Sequence, residues 1–238
     1  MVLTKSNVKV DTAKLQATIP FFNELDANVV DRILPYIVEK TYRKGAIIFL
    51  QGDAGDEIFF IRSGAINIYT FEGMKKVVFA YLREGDYFGE MALIKPGLVR
   101  SATAEAMATT KVLTLRRTDF ENLIEANPRL AIHLLDYTME RLRQANQQVY
   151  DMTFLNVRTR IVKKLATVSN SPGSKQRSEA PVEWKVTHQQ LAEMVGAVRE
   201  TVSKVLLELQ EEGLIETRNK LIIIPDPSQL QKKLLLES

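Results

Sequence analysis

Residues 88–106 read Phe-Gly-Glu-Met-Ala-Leu-Ile-Lys-Pro-Gly-Leu-Val-Arg-Ser-Ala-Thr-Ala-Glu-Ala, and the reading of the first half of the chain turns on what this stretch can hold. Between two strands, Gly89 to Leu93 fits one short helical turn whose free amide hydrogens point at an anion, because a helix N-terminus has unpaired donors and partial positive charge. Arg100 adds a planar cationic fork suited to a phosphate, and Ser101 a hydroxyl donor. Glu90 is out of place beside a phosphate unless its carboxylate accepts a hydrogen bond from a hydroxyl, as a ribose would offer. Gly-Glu or Arg-Ser alone reads as a turn with a surface ion pair. Their conjunction reads as a pocket, with Gly89, Glu90, Met91, Ala92, Arg100 and Ser101 as its candidate residues.

Outward from this stretch the pattern is that of short strands. Eight of the 11 glycines fall between Gly45 and Gly97, among apolar or alternating runs at 46–49, 58–61, 66–69 and 77–81, and a further strand fits Lys111 to Leu115. Regularly spaced short strands with glycine punctuation read as a β-barrel or sandwich. Before them, Asp26 is positioned to cap a short helix running through Ile37.

After them the period changes. From Asn127-Pro128, a cap followed by a proline tolerated in the first turn, the chain runs to about Met152 without Gly or Pro. Leu135, Thr138, Leu142, Ala145, Val149 and Met152 are spaced 3, 4, 3, 4, 3. That is a heptad seam, and its polar flanks suit a narrow contact with a second copy of the chain better than burial in its own domain. A second helix fits Val157 to Val168, followed by the polar loop Ser169 to Ser178.

His188 to Leu207 reads as helix, turn, helix. Thr187 caps the first helix, Gly196 tolerates the positive φ of a tight turn, and Ala192 is small where two helices cross. Leu191, Val195, Val202 and Val205 face a core, which leaves Arg199, Glu200, Ser203 and Lys204 projecting from the second helix near its N-terminal end, the end that enters the major groove in this motif. Arginine can bond guanine O6 and N7, and glutamate can accept from cytosine N4. Thr187, His188, Gln189 and Val198 complete the candidate DNA-facing set. Residues 211–224 close the segment as a helix end and a β-hairpin, a winged helix.

Composition bounds the chemistry. The 238 residues are 45% apolar and 26% charged, with no cysteine and two histidines, His133 and His188. Thiolate zinc, iron–sulfur clusters and cysteine nucleophiles are excluded, and a His-ligated metal or haem cannot be built in the first half. There is no run of about 18 apolar residues and no export signal at the N-terminus, so the expectation is a cytoplasmic protein with no membrane partner. No nucleophile–base or metal constellation appears, so no enzyme is expected. Residues 1–139 hold 17 Lys and Arg against 17 Asp and Glu, whereas 140–238 hold 15 against 12, so the whole excess of +3 is C-terminal.

Residues 88–106 resemble the phosphate-binding cassette of the cyclic-nucleotide-binding domain, and Gly52 to Gly64 resemble its upstream turns and strand. Phe49 stands where a smaller aliphatic is usual, and reads as a packing change. Val198 to Lys204 closely resembles the recognition helix of the cyclic-AMP receptor protein and FNR family of bacterial transcription regulators. The resemblance runs from about Thr18 to about Pro225. It implies an α+β chain: an N-terminal cyclic-nucleotide-binding β-roll over 1–126, a dimerisation helix and hinge over 127–156, and a C-terminal winged helix-turn-helix over 157–238. It implies that Glu90 accepts the ribose 2′-hydroxyl, that Arg100 pairs the cyclic phosphate, and that Gly89 and Ser101 donate to the same group. In the cyclic-AMP receptor a threonine–serine pair holds the adenine. Ala145 and Asn146 match those positions, and only Asn146 can bond a base edge. Lys204 replaces an arginine and lacks its planar fork.

The implied function is a homodimeric regulator, an activator by family habit, that binds palindromic double-stranded DNA under control of cyclic AMP, without metal, haem or cluster. RNA polymerase is the implied partner, through the loop at 169–178, and the hinge near Phe154 to Val157 the implied moving part. The alternatives are a regulator of the same family with a vestigial pocket, and a nucleotide-binding module without DNA binding, such as a kinase subunit or channel, against which the second motif argues.

Overall fold

The computed structural model describes residues 3–6, 12–73, 75–95, 97–169, 181–218 and 220–237. The chain separates into two compact units, residues 1–142 and 143–238.

The first unit contains β1 (Leu3–Ser6), α1 (Thr12–Thr18), α2 (Ala27–Ile33), β2 (Val38–Tyr42), β3 (Ile47–Phe49), β4 (Glu57–Ser63), β5 (Ala65–Glu72), β6 (Lys75–Arg83), β7 (Tyr87–Phe88), β8 (Thr103–Ala106), β9 (Thr110–Arg116), α3 (Arg117–Ala126) and the start of α4 (Arg129–Phe154). Two antiparallel sheets are formed, in the orders β1-β2-β9-β4-β7 and β3-β8-β5-β6. The apolar run Ile58-Phe59-Phe60-Ile61 has no polar alternation because β4 is covered on both faces. Phe59 and Ile61 join Ile66, Phe88, Ala104 and Val112 in one core, while Ile58 and Phe60 join Phe21, Leu113, Phe120 and Leu130 in a second core shared with the helices.

Asp26 does stand at the N-cap of α2, but its side chain makes no capping bond; its carbonyl alone accepts from Val29 and Val30. The α-helix ends at Ile33 and tightens to a 3-10 turn over Leu34–Tyr36 instead of continuing to Ile37. Pro35 has no amide hydrogen to donate back into an α-helix, which explains the early end. Asn127 also differs from expectation: its side-chain amide donates to Leu123 O at 3.0 Å, back into α3, and only its carbonyl serves α4.

The second unit holds the end of α4, then α5 (Val157–Ser169), β10 (Val182–Lys185), α6 (His188–Val195), α7 (Arg199–Glu211), β11 (Glu216–Arg218), β12 (Leu221–Ile224) and α8 (Pro227–Glu237). The three strands pair in the order β10-β12-β11. Their core gathers Ile161, Leu165, Leu191, Val202, Leu206, Leu209, Ile222 and Leu230. Thr187 and Gln190 form a reciprocal capping box at α6, and Gly196 ends that helix with φ of 64°. Ala192 is buried at the helix pair as its size predicts. Asn156 caps α5 by accepting from Thr159 N at 2.9 Å. The polar loop assigned to a polymerase contact lies, beyond Ser169, outside the described residues.

Candidate functional site

In the first unit the six predicted pocket residues come together. Gly89, Glu90, Met91, Ala92, Arg100 and Ser101 line one cleft with Phe49, Phe88 and Arg141. The expected helical turn is present as a 3-10 turn over Glu90–Ala92, entered through Gly89 at φ of 86°. Both charged side chains are inside: Glu90 is 8% exposed and Arg100 5%.

Arg100 donates from Nη1 to Gly89 O at 2.7 Å and from Nη2 to Glu57 O at 2.9 Å, while its buried Nε has no partner. Its seat requires glycine on two sides, since a Cβ at Gly55 would lie 2.6 Å from the guanidinium carbon and one at Gly89 2.7 Å from Nη1. Glu90 Oε1 accepts from Arg141 Nη1 at 3.1 Å, and its buried Oε2 has no partner. Burial pushes the Glu90 carboxyl above the usual carboxylate range, with Arg141 and then Arg100 pulling the other way. Ser101 is exposed, its hydroxyl 3.6 Å from Met91 Sδ. An unpartnered buried acceptor and an unpartnered buried guanidinium donor therefore belong to two residues that line the same cleft. The set fits a ligand that offers both a hydroxyl and an anionic oxygen.

Arg141 and Arg117 were not singled out from the sequence, and Phe49 was read there only as a packing change. Arg141 reads as a polar flank of the seam, yet Leu130, Leu134 and Tyr137 mark a second stripe on α4 that packs on the first unit, and Arg141 continues it. Phe49 is not merely a packing change; it walls the cleft, its ring centroid 4.3 Å from the Arg100 guanidinium carbon. Arg117 donates to Gly55 O at 2.9 Å, Ala92 O at 2.6 Å and Leu93 O at 2.7 Å, fastening the 3-10 turn to the loop before β4. Arg117→Met should strand three carbonyls. Denaturant unfolding followed by fluorescence is expected to show a loss of about 2–4 kcal/mol, given the usual worth of charge-assisted bonds.

Asn146 is exposed on α4 in the second unit, and the cleft of the first unit is lined without it. The seam residues Leu135, Leu142 and Val149 are 63%, 52% and 65% exposed, and Thr138 and Ala145 are exposed too. Ile132 and Met139, at 60% and 49%, widen this stripe on the side away from Thr138, whose hydroxyl is spent on Leu134 O. Met152 is partly diverted: its methyl group would lie 2.9 Å from a Cβ at Gly196, so it packs at the turn between α6 and α7.

On α7, Arg199, Glu200 and Lys204 are exposed, as is Val198 at its N-cap. Ser203 and His188 are half-buried and bonded to each other, Oγ to Nδ1 at 2.8 Å. Thr187 is held in the capping box, leaving Gln189 as the exposed member on α6. The predicted set thus divides into exposed side chains and side chains engaged within the unit, of which only the His188–Ser203 pair joins α6 to α7.

No helix among the described residues is long and apolar enough to cross a membrane, and no group of three metal-ligating side chains occurs among them. Residues 39–127 match the cyclic nucleotide-binding domain, and residues 159–233 match the Crp-like helix-turn-helix domain. The two define a DNA-binding transcription regulator with a cyclic nucleotide-binding domain. The chain is 34% identical over 197 residues to the cyclic AMP receptor protein of Thermus thermophilus, covering 82% of this chain and 88% of that one. A solved CRP/FNR regulator from the same organism superposes with a TM-score of 0.69 at 25% identity, covering 84% of this chain and all of that one at 100%. The CLP regulator of Xanthomonas campestris shares the fold at a TM-score of 0.73 and 24% identity, covering 84% of this chain and 99% of that one. This chain belongs to the CRP/FNR family of transcription regulators.

Proposed function

We propose that the protein is a homodimeric regulator whose affinity for a palindromic operator is set by cyclic AMP bound between Glu90 and Arg100. The observation behind this is the pair of buried, unpartnered polar atoms in one cleft, Glu90 Oε2 and Arg100 Nε. Glu90 would accept the ribose 2′-hydroxyl and Arg100 would pair the cyclic phosphate, with Gly89 and Ser101 donating to the same group. The Thermus relative, described as a cyclic AMP receptor protein, supports the choice of nucleotide. The exposed stripe on α4 is the dimer seam in this reading, and Asn146 is the α4 residue whose amide would suit an adenine edge.

Arg199, Glu200 and Lys204 would read base edges or phosphates, positioned by the His188–Ser203 bond. Two such helices related by a dimer axis read half-sites about 34–36 Å apart, so selection from random DNA should return an inverted repeat. Glu200→Ala should relax discrimination at one symmetric base pair by about 1–3 kcal/mol and leave non-specific affinity equal or better, because a carboxylate repelled by phosphates is gone. Binding to matched and mismatched duplexes at one salt concentration measures both.

A second reading, regulation without an effector, has one observation in its favour. Each Nη group of Arg100 already donates one bond within the protein, and one oxygen of Glu90 already accepts one. Calorimetric titration with cyclic AMP, cyclic GMP and cyclic di-GMP, followed by operator affinity with and without each, separates the two readings. A ligand that binds both DNA-competent and incompetent states equally shifts nothing, so equal operator affinity under saturating nucleotide would favour the second.

A further inference from the structure

We propose that Phe49 is a positioning residue of the nucleotide site, acting through Arg100; the inference rests on the reading of that site given above. The Arg100 guanidinium carbon lies 4.3 Å from the Phe49 ring centroid and 5.4 Å from that of Phe59. Phe49 in turn lies 5.6 Å from Phe59 and 5.8 Å from Phe88, and those two rings stack at 5.0 Å with an interplanar angle of 13°. The arginine therefore rests on a backing of three rings that brace one another.

A guanidinium makes its hydrogen bonds in its own plane and offers only its faces to a π-system. Here two in-plane bonds, to Gly89 O and Glu57 O, anchor the Nη edge. Two anchors on one edge leave the plane free to rock about the line joining them. An aromatic face against the guanidinium opposes that rocking and keeps the remaining edge, with Nε, in a fixed plane for an anionic oxygen. An aliphatic side chain of similar size at position 49 would fill the space without the electrostatic attraction.

The test compares cyclic AMP affinity of wild type, Phe49→Leu and Phe49→Tyr, each also in an Arg100→Lys background, with thermal unfolding to verify that every variant is folded. Phe49→Leu should bind roughly 2- to 30-fold more weakly, the range that a cation–π contact supplies, and Phe49→Tyr should bind as wild type does. In the Arg100→Lys background the Phe49→Leu effect should vanish, since the plane it positions is gone. A ligand-free readout is the Arg100 Nε–H resonance, which should be displaced by ring currents in wild type and Phe49→Tyr and return toward the ordinary value in Phe49→Leu. Equal affinity of folded wild type and Phe49→Leu, a loss in Phe49→Tyr as large as in Phe49→Leu, or an undisplaced resonance in wild type would overturn the inference alone. No cyclic AMP binding by wild type would instead overturn the reading of the site, and this inference with it.

Discussion

Arg100→Leu should lower cyclic AMP affinity by about 2–5 kcal/mol, the cost of removing the charged partner of a buried hydrogen-bonded group. Calorimetry at fixed pH and salt would show the isotherm flattening at concentrations that saturate wild type. The size of the effect follows from where the guanidinium sits. It is 5% exposed, so water could not replace its charge beside a bound phosphate, and among the described residues Arg141 is the one other cationic side chain that lines the cleft. Arg141 cannot substitute freely because it is engaged with Glu90. Leucine also leaves Gly89 O and Glu57 O without their present donors, so the variant must be verified as folded, which Arg117 should secure by holding the same two segments. Retained binding in a folded variant would show that the phosphate is held elsewhere.

Leu142→Asp is expected to convert a dimer to a monomer in sedimentation at micromolar concentration, and to weaken operator binding with it. The stripe from Ile132 to Val149 leaves large apolar groups in water in the single chain, with Leu142 near its middle and 52% exposed. At a two-fold seam the substitution would bring two carboxylates into apolar surroundings, where each unpaired charge costs several kcal/mol. A monomer loses the half-site pairing on which a palindrome depends. Wild type that is already monomeric at that concentration would refute the seam.

What could be read from the sequence was what lies close together in it. Gly89, Glu90, Arg100 and Ser101 fall within one short stretch, and residue chemistry alone joins them. The partner of Glu90 lies 51 residues away on α4, and nothing local distinguishes Arg141 from the other charged residues of that helix. Arg117, 62 residues from Gly55, sits beside Arg116 and looks like half of an ordinary basic pair. The helix-turn-helix was legible because capping and turn chemistry are local; the bond between His188 and Ser203 was not, since it needs the crossing of two helices. Asp26 and Asn127 misled for a related reason. Each occupies the right place for a cap, but whether the side chain or only the carbonyl serves depends on how the chain enters the helix.

Two guanidinium groups fasten the same pair of segments, yet they do so on different carbonyls. Arg117 takes none of the bonds that Arg100 makes, and it does not line the cleft. The frame of the pocket thus has a second fastening that does not depend on the guanidinium proposed to meet the phosphate. For protein engineering this makes position 100 the place to vary, to lysine, glutamine or a neutral residue, in seeking receptors for altered phosphate analogues, because Arg117 would still tie the surrounding loops together.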